Sequence, residues 1–279
     1  MEQSAQRRSA LLIALAGVSW SFAGVLSRFT SWSGFSLAGY RSIIAVLLLG
    51  AIRKSFRPRN TLWNWIGALG VAVTSALFMI ANKLTSAANA IVLQYAMTAI
   101  VIAVQIVFFR VRPRKLDVSA AALVMVGVVL CFCQGLGKGQ FGGNLVAFSS
   151  AFTWALVFLA ARMPGVDSLS YAYQGNLLAC LFLLYMPFDP AVRSAAPADW
   201  IVPTAMGLCL GLGYVFFAKG MRSELSPTVA AIVANVEPVL NPLWVLIFLG
   251  EAPGVLSFLG AAVVLVTVTV YSLQSVGEA

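Results

Sequence analysis

The sequence predicts an all-α integral membrane protein: ten transmembrane helices, arranged as two inverted-topology five-helix repeats with both termini cytoplasmic. Three observations predict it. Long apolar runs fill the chain, basic residues gather in loops on one side, and the second half repeats motifs of the first. Hydrophobic residues make up 61% of the 279 and charged residues only 10%, with a mean hydropathy of +0.92. A soluble domain carries roughly 25% charged residues. Each apolar run is about 20 residues, enough to cross ~30 Å of hydrocarbon as a helix. Strands of a membrane barrel would be half as long and alternate in polarity.

The expected spans are 10–28, 34–52, 62–81, 87–109, 117–134, 143–161, 168–186, 201–219, 227–249 and 254–273. The first is read as a retained span, because Trp20 lies inside it and no convincing cleavage site follows. The net charge is +9, and its placement orients the chain. With both ends inside, the inner segments hold RKSFRPR (53–59), RVRPRK (110–115), Arg7, Arg8, Arg162, Lys219 and Arg222, while the outer ones hold Arg28, Lys83, Lys138 and Arg193. This is a positive-inside bias, and the basic loops would face anionic lipid headgroups. No soluble domain is present to hold a nucleic-acid duplex. The chain has no histidine, which excludes an embedded Ser–His or zinc protease. The cysteines read as membrane packing, so no metal and no cofactor is expected, and an enzyme is the least favoured reading.

WSFAGVLSR (20–28) and WALVFLAAR (154–162) place Trp and Arg at the same separation. A longer match joins ANAIVLQYAMTAIVIAVQIVFFRVRP, ending at Pro113, to TVAAIVANVEPVLNPLWVLIFLGEAP, ending at Pro253. The repeats are therefore 1–139 and 140–279. Five is odd, so the second copy enters the membrane in the opposite sense. Such halves can open a central site to one side and then the other.

The ninth span carries the chemistry. Ser226 and Pro227 suit a helix start, and Glu237 follows ten residues later, about 15 Å along the axis. A carboxylate at that depth should face the bundle interior or a wet cavity. Pro238 has no N–H for the carbonyl of Ala234, nor Pro242 for that of Pro238, so both prolines are expected to break the helix. Glu237, Asn241, Trp244 and Phe248 fall on one stripe. Two readings of Glu237 stay open: a fixed internal ion pair at a kink, or a part in a substrate or proton path.

Gln94, Thr98 and Gln105 share a face of the fourth span with Tyr95 beside it, either lining a cavity or joining helices. Arg41, flanked by Tyr40, has three candidate roles: pairing with Glu237, binding an anionic group, or snorkelling outward. Thr74, Phe78 and Asn82 share a face of the third span. Trp20, Trp154, Tyr173, Asn176 and Tyr214 lie deep enough to line a cavity, and ordinary packing is the alternative for each.

LQYAMTAIVIAVQIVFFRVRP (93–113), VEPVLNPLWVLIFLGEAPG (236–254) and the early tryptophans Trp20 and Trp154 together resemble the EamA-like branch of the drug/metabolite transporter superfamily. The resemblance covers essentially the whole chain. It implies ten helices in two inverted halves and export of small metabolites, among them aromatic amino acids, nucleosides and toxic compounds. Glu237–Pro238 and Gly250–Glu251 sit where the family commonly shows them. The first half lacks the proline expected near Thr98 and the Gly-Glu pair expected near Arg110, so the fourth helix is expected to be less broken than the ninth.

The expected activity is alternating-access transport of a small organic molecule in the cell inner membrane, first an amino acid, and among these an aromatic or apolar one. Nucleosides, drugs or phosphorylated metabolites are alternative cargoes, and a passive channel or scaffold is an alternative class. A coupling proton is a candidate partner beside the substrate and the bilayer. A monomer suffices, since one chain contains both halves.

Overall fold

The computed structural model describes residues 2–110, 112, 114–135, 140–222, 227–250 and 254–277. The expected cap Ser226, the junction at 136–139 and Glu251 lie outside them. The described chain is helical and contains no strand. Its helices are α1 (Glu2–Arg28), α2 (Gly34–Arg53), α3 (Leu62–Leu84), α4 (Ala87–Gln94), α5 (Met97–Val107), α6 (Lys115–Gly135), α7 (Phe141–Ala160) and α8 (Ser168–Ala179). A 3-10 segment, Cys180–Phe188, continues α8, and the short α9 (Pro190–Arg193) follows. The last four are α10 (Ile201–Gly220), α11 (Pro227–Val233), α12 (Val236–Leu249) and α13 (Val255–Gly277).

Among the described residues, seven helical stretches are long and apolar enough to cross a membrane: Gln6–Arg28, Gly34–Arg53, Leu62–Leu84, Ala87–Val107, Phe141–Ala160, Pro197–Gly220 and Val229–Leu249. Val255–Val264 is a shorter apolar stretch. Large apolar side chains such as Val107, Leu184, Ile201 and Ile247 cover the outside, a surface matched to lipid. The chain is a multi-pass membrane protein.

Helix starts follow the local sequence. Ser33, Thr61, Ser86 and Asp167 each accept, through the side chain, the N–H of the residue three further on, satisfying a donor that the helix itself leaves open. Small residues then let the helices approach closely. Gly213 of α10 is the clearest case, since a Cβ there would land on the Trp20 indole of α1.

Two helices break, and the breaks match. The first lies at Tyr95–Ala96, between α4 and α5, and the second at Ala234–Asn235, between α11 and α12. The alignment of the halves ending at Pro113 and Pro253 puts these breaks within one residue of each other. This corrects two expectations. The fourth helix is divided like the ninth, although it has no proline there. The ninth breaks just before Pro238, and Pro242 sits inside an uninterrupted α12. The physical reason is visible at Ala234. Pro238 cannot donate to its carbonyl, which instead accepts from the Glu237 N–H at 3.0 Å, and the tightened turn becomes the break. In the first half, Thr98 N–H likewise donates to the Tyr95 carbonyl at 3.1 Å.

Polar residues close both ends of α3. At one end, Lys83 Nζ donates to the carbonyls of Ser27 and Thr30 at 2.8 Å each, and Arg28 Nη2 donates to the Thr85 carbonyl at 2.8 Å. Thr85 Oγ1 donates to Asn144 Oδ1 at 2.7 Å. At the other end, Asp167 N–H donates to Asn64 Oδ1 at 3.3 Å and Arg59 N–H to Gln174 Oε1 at 3.1 Å. Thr74 and Ser75 lie near the middle of the helix, between these two seals.

Candidate functional site

A cavity lies at that middle level. Trp20 and Ala23 come from α1, Arg41 from α2, Thr74, Ser75 and Phe78 from α3, and Gln94 from α4. Trp154 of α7, Leu210 and Tyr214 of α10, and Glu237 of α12 complete the wall. Its volume is about 40 Å³, room for a few waters.

The breaks bring the polar groups here. Tyr95 lies at the first break and Glu237 just past the second. The Tyr95 hydroxyl donates to Glu237 Oε2 at 2.5 Å, with both side chains buried. Thr98 and Asn235 join the same breaks a turn away, through Asn235 Nδ2 and Thr98 Oγ1 at 3.2 Å. Two interrupted helices therefore meet through side chains where each has given up regular backbone bonding, as membrane-depth irregularity requires.

Arg41 is the second charge in the wall. It is 3% exposed, so it does not snorkel to the surface. Its Nη2 donates to Ser75 Oγ at 2.8 Å and to the Ser75 carbonyl at 3.3 Å, while its Nε has no partner. It forms no ion pair with Glu237, whose partner is Tyr95. The ion-pair reading of Glu237 is thereby replaced by a tyrosine hydrogen bond. Ser75 lies one residue from Thr74 in the middle of α3 and accepts what the carboxylate does not.

Aromatic rings form the rest of the wall. The Trp20 and Trp154 rings are 5.1 Å apart at 72°, and Trp20 and Tyr214 are 5.3 Å apart at 67°, both edge-to-face contacts of the favoured kind. Trp20 Nε1 donates to the Leu210 carbonyl at 3.2 Å. Trp154 Nε1 is buried and has no hydrogen-bond partner.

Of the residues singled out from sequence, Trp20, Arg41, Thr74, Phe78, Gln94, Trp154, Tyr214 and Glu237 line the cavity, and Tyr95 reaches it through Glu237. The others go elsewhere. Asn241 and Trp244 keep the α1-facing stripe of Glu237 but lie outside the cavity: the Asn241 amide lies against Gly24, and Trp244 stacks on Phe22 at 4.9 Å and donates to Ser21 Oγ at 2.8 Å. Tyr40 bonds Thr204 at 3.1 Å and packs against Trp32 and Trp200. Asn82 and Asn176 each turn back to a carbonyl of their own helix, Phe78 and Ala172. Tyr173 donates to the Phe56 carbonyl at 2.7 Å, at the end of the bundle where Arg59 meets Gln174. Ala23, Ser75 and Leu210 were missed in the sequence; Ala23 and Leu210 carry no side-chain polar atom to mark them, and the Ser75 hydroxyl reads as one small polar group beside Thr74 until Arg41 is seen to donate to it.

The sequence matches the EamA-like transporter family over residues 7–133 and again over 141–273. It is 24% identical over 298 aligned positions to "Uncharacterized inner membrane transporter YicL" of Salmonella typhimurium, covering 96% of each chain. It is 21% identical over 247 positions to "Uncharacterized transporter YyaM" of Bacillus subtilis, covering 84% of this chain and 80% of that one. A solved crystal structure superimposes with a TM-score of 0.75 at 21% identity, over 95% of this chain and 98% of the other, a likeness of fold. With both halves matched by one family, the chain belongs to the EamA-like transporter family.

Proposed function

We propose that this transporter carries small zwitterionic metabolites across a bacterial inner membrane by alternating access, and that its exported cargo is an amino acid with an apolar or aromatic side chain. One observation carries the reading. Arg41 and Glu237 line the same buried cavity without pairing with each other. A carboxylate and a guanidinium held apart complement the ammonium and carboxylate of one zwitterion. Trp20, Trp154, Phe78 and Tyr214 supply the apolar wall beside them.

The proposed architecture is ten spans, each broken pair counted as one, in inverted repeats 1–139 and 140–279 with both termini cytoplasmic. Separate family matches to the two halves support it, as do the aligned breaks. The Salmonella relative's name supports the inner membrane. In this reading the seals at the two ends of α3 open in turn, and Glu237 also accepts the coupling proton.

The test is uptake of a labelled amino-acid panel into liposomes holding the purified chain, with and without internal unlabelled substrate. A carrier transiently concentrates label in counterflow, whereas an open channel does not. Arg41→Gln and Glu237→Gln should each lower amino-acid exchange at least ~10-fold, the effect of losing one buried charged hydrogen bond. Unchanged exchange in both variants would exclude the zwitterion site. Equal pH-gradient dependence in wild type and Glu237→Gln would exclude the proton role.

A further inference from the structure

A second cavity lies away from the central one, between α6 and α13. These helices touch closely at Gly127, where a Cβ would meet the Gly260 carbonyl at 2.7 Å. Toward the start of α6 and the end of α13 they leave a groove of about 130 Å³. Leu116, Ala120 and Leu123 line one wall, and Val266, Val270 and Tyr271 the other. Leu116 to Leu123 spans about 10 Å of helix. Leu123, Val266 and Val270 are exposed, so the groove opens outward from the bundle rather than toward the transport cavity.

The mouth of the groove is built and basic. The Tyr271 hydroxyl donates to Asp117 Oδ1 at 2.7 Å, and Arg114 Nη2 donates to both Asp117 Oδ1 at 3.0 Å and Tyr271 Oη at 2.9 Å. This cluster ties the two helices together and neutralises Arg114. Arg110, Arg112 and Lys115, within four residues of Arg114 along the chain, are exposed, so the chain entering the mouth carries an excess of positive charge. An apolar slot at membrane depth beneath such a cluster matches an acyl chain beneath an anionic headgroup.

We propose that the α6–α13 groove binds an anionic phospholipid of the surrounding bilayer, with one acyl chain along Ala120 and Val266 and the headgroup phosphate at Arg110, Arg112 and Lys115. Charge complementarity selects this occupant: a zwitterionic lipid brings a cation of its own to the basic mouth and leaves its excess charge uncompensated, and an apolar protein segment leaves it unmatched. The site is independent of the cargo and of the orientation of the chain.

The full-length protein would be reconstituted in phosphatidylcholine vesicles containing a trace of photoactivatable phosphatidylglycerol or, in parallel, photoactivatable phosphatidylcholine. Crosslinked peptides would then be mapped. Phosphatidylglycerol should label the 116–123 and 266–271 segments in preference to the rest of the lipid-facing surface. Arg112→Gln should lower that preference about fivefold, the weight of one basic residue at an anionic surface, and the change should grow with Lys115→Gln added. Phosphatidylcholine labelling should stay constant across these exposed-surface variants. Ala120→Phe, which fills the groove, should remove labelling there by both lipids. Because Ala120 is buried and its variant can misfold, the charge variants decide the matter alone. Equal labelling of the groove by the two lipids in wild type, labelling spread evenly around the bundle, or a preference indifferent to Arg112 and Lys115 would each overturn the proposal.

Discussion

Replacing Tyr95 with Phe removes one oxygen from the centre of the molecule and tests the crossing of the two broken helices. In the structure, that hydroxyl donates to Glu237 at 2.5 Å, and Tyr95 and Glu237 are 0% and 4% exposed. Hydrogen bonds between membrane helices average only ~0.6 kcal/mol in double-mutant cycles, with a maximum of ~1.7. A short bond to a carboxylate belongs at the upper end, since hydrogen bonds to charged groups contribute about 1.5–3 kcal/mol in proteins generally. The expected coupling is therefore ~1.5 kcal/mol, about tenfold in the unfolding equilibrium. The cycle comprises wild type, Tyr95→Phe, Glu237→Met and the double variant. Methionine keeps the length of the glutamate and drops both acceptors. Equilibrium unfolding in mixed micelles titrated with dodecyl sulfate gives the four free energies. The double variant should be more stable than the sum of the single losses by ~1.5 kcal/mol. Additivity within ~0.5 kcal/mol, the behaviour of independent sites, would refute the contact and with it the account of how the breaks are held together.

Further predictions concern single positions. Gly213→Ala places a methyl group on the Trp20 indole; overpacking of this kind costs ~1–3 kcal/mol, seen as a lowered unfolding midpoint and an altered tryptophan emission, and an unchanged emission would contradict the close approach. Pro238→Ala restores a donor for the Ala234 carbonyl now held by Glu237 N–H; amide exchange at residues 235–238 should slow as the break straightens, and substrate exchange should fall ~10-fold as Glu237 is displaced. Asp189 accepts from Ser36 Oγ at 2.6 Å, Ser33 N at 2.9 Å and Ala191 N at 3.1 Å. Its burial opposes ionisation, but the bonds from Ser36, Ser33 and the backbone outweigh this and hold its carboxyl below the usual carboxylate range. A depressed folded value stabilises above the ordinary pKa and is lost as pH falls through the folded one. Wild-type stability should accordingly drop in acid below about pH 4, and Asp189→Asn should lack that part of the drop while costing ~1 kcal/mol at neutral pH as a weakened cap.

Much of this protein can be read from one dimension because the bilayer imposes a one-dimensional rule. A span needs an unbroken apolar run of fixed length, so α1, α2, α3, α7 and α10 lie close to where hydropathy alone puts them. The cost of a carboxylate at membrane depth likewise marks Glu237 as interior from its neighbours alone. The limits show in the fourth helix. Its sequence around Tyr95 carries no proline, yet it breaks where the ninth breaks, because Tyr95 and Thr98 find Glu237 and Asn235 across the interface. Periodicity placed Asn241 and Trp244 on the stripe of Glu237, but a stripe on one helix cannot say which neighbour it meets.

The sequence by itself determined the membrane class, most of the apolar spans, the family and the interior position of Glu237. Each follows from composition or from motifs contiguous along the chain. Only the tertiary structure decided the partners. Arg41 turns to Ser75, Glu237 takes Tyr95, and Asn241 and Trp244 leave the cavity to pack against α1. The physical reason is that a buried polar group takes whichever complementary atom the packing brings within 3 Å or so. At 142 residues of separation, as between Tyr95 and Glu237, that atom is fixed by how helices cross and not by anything written beside it.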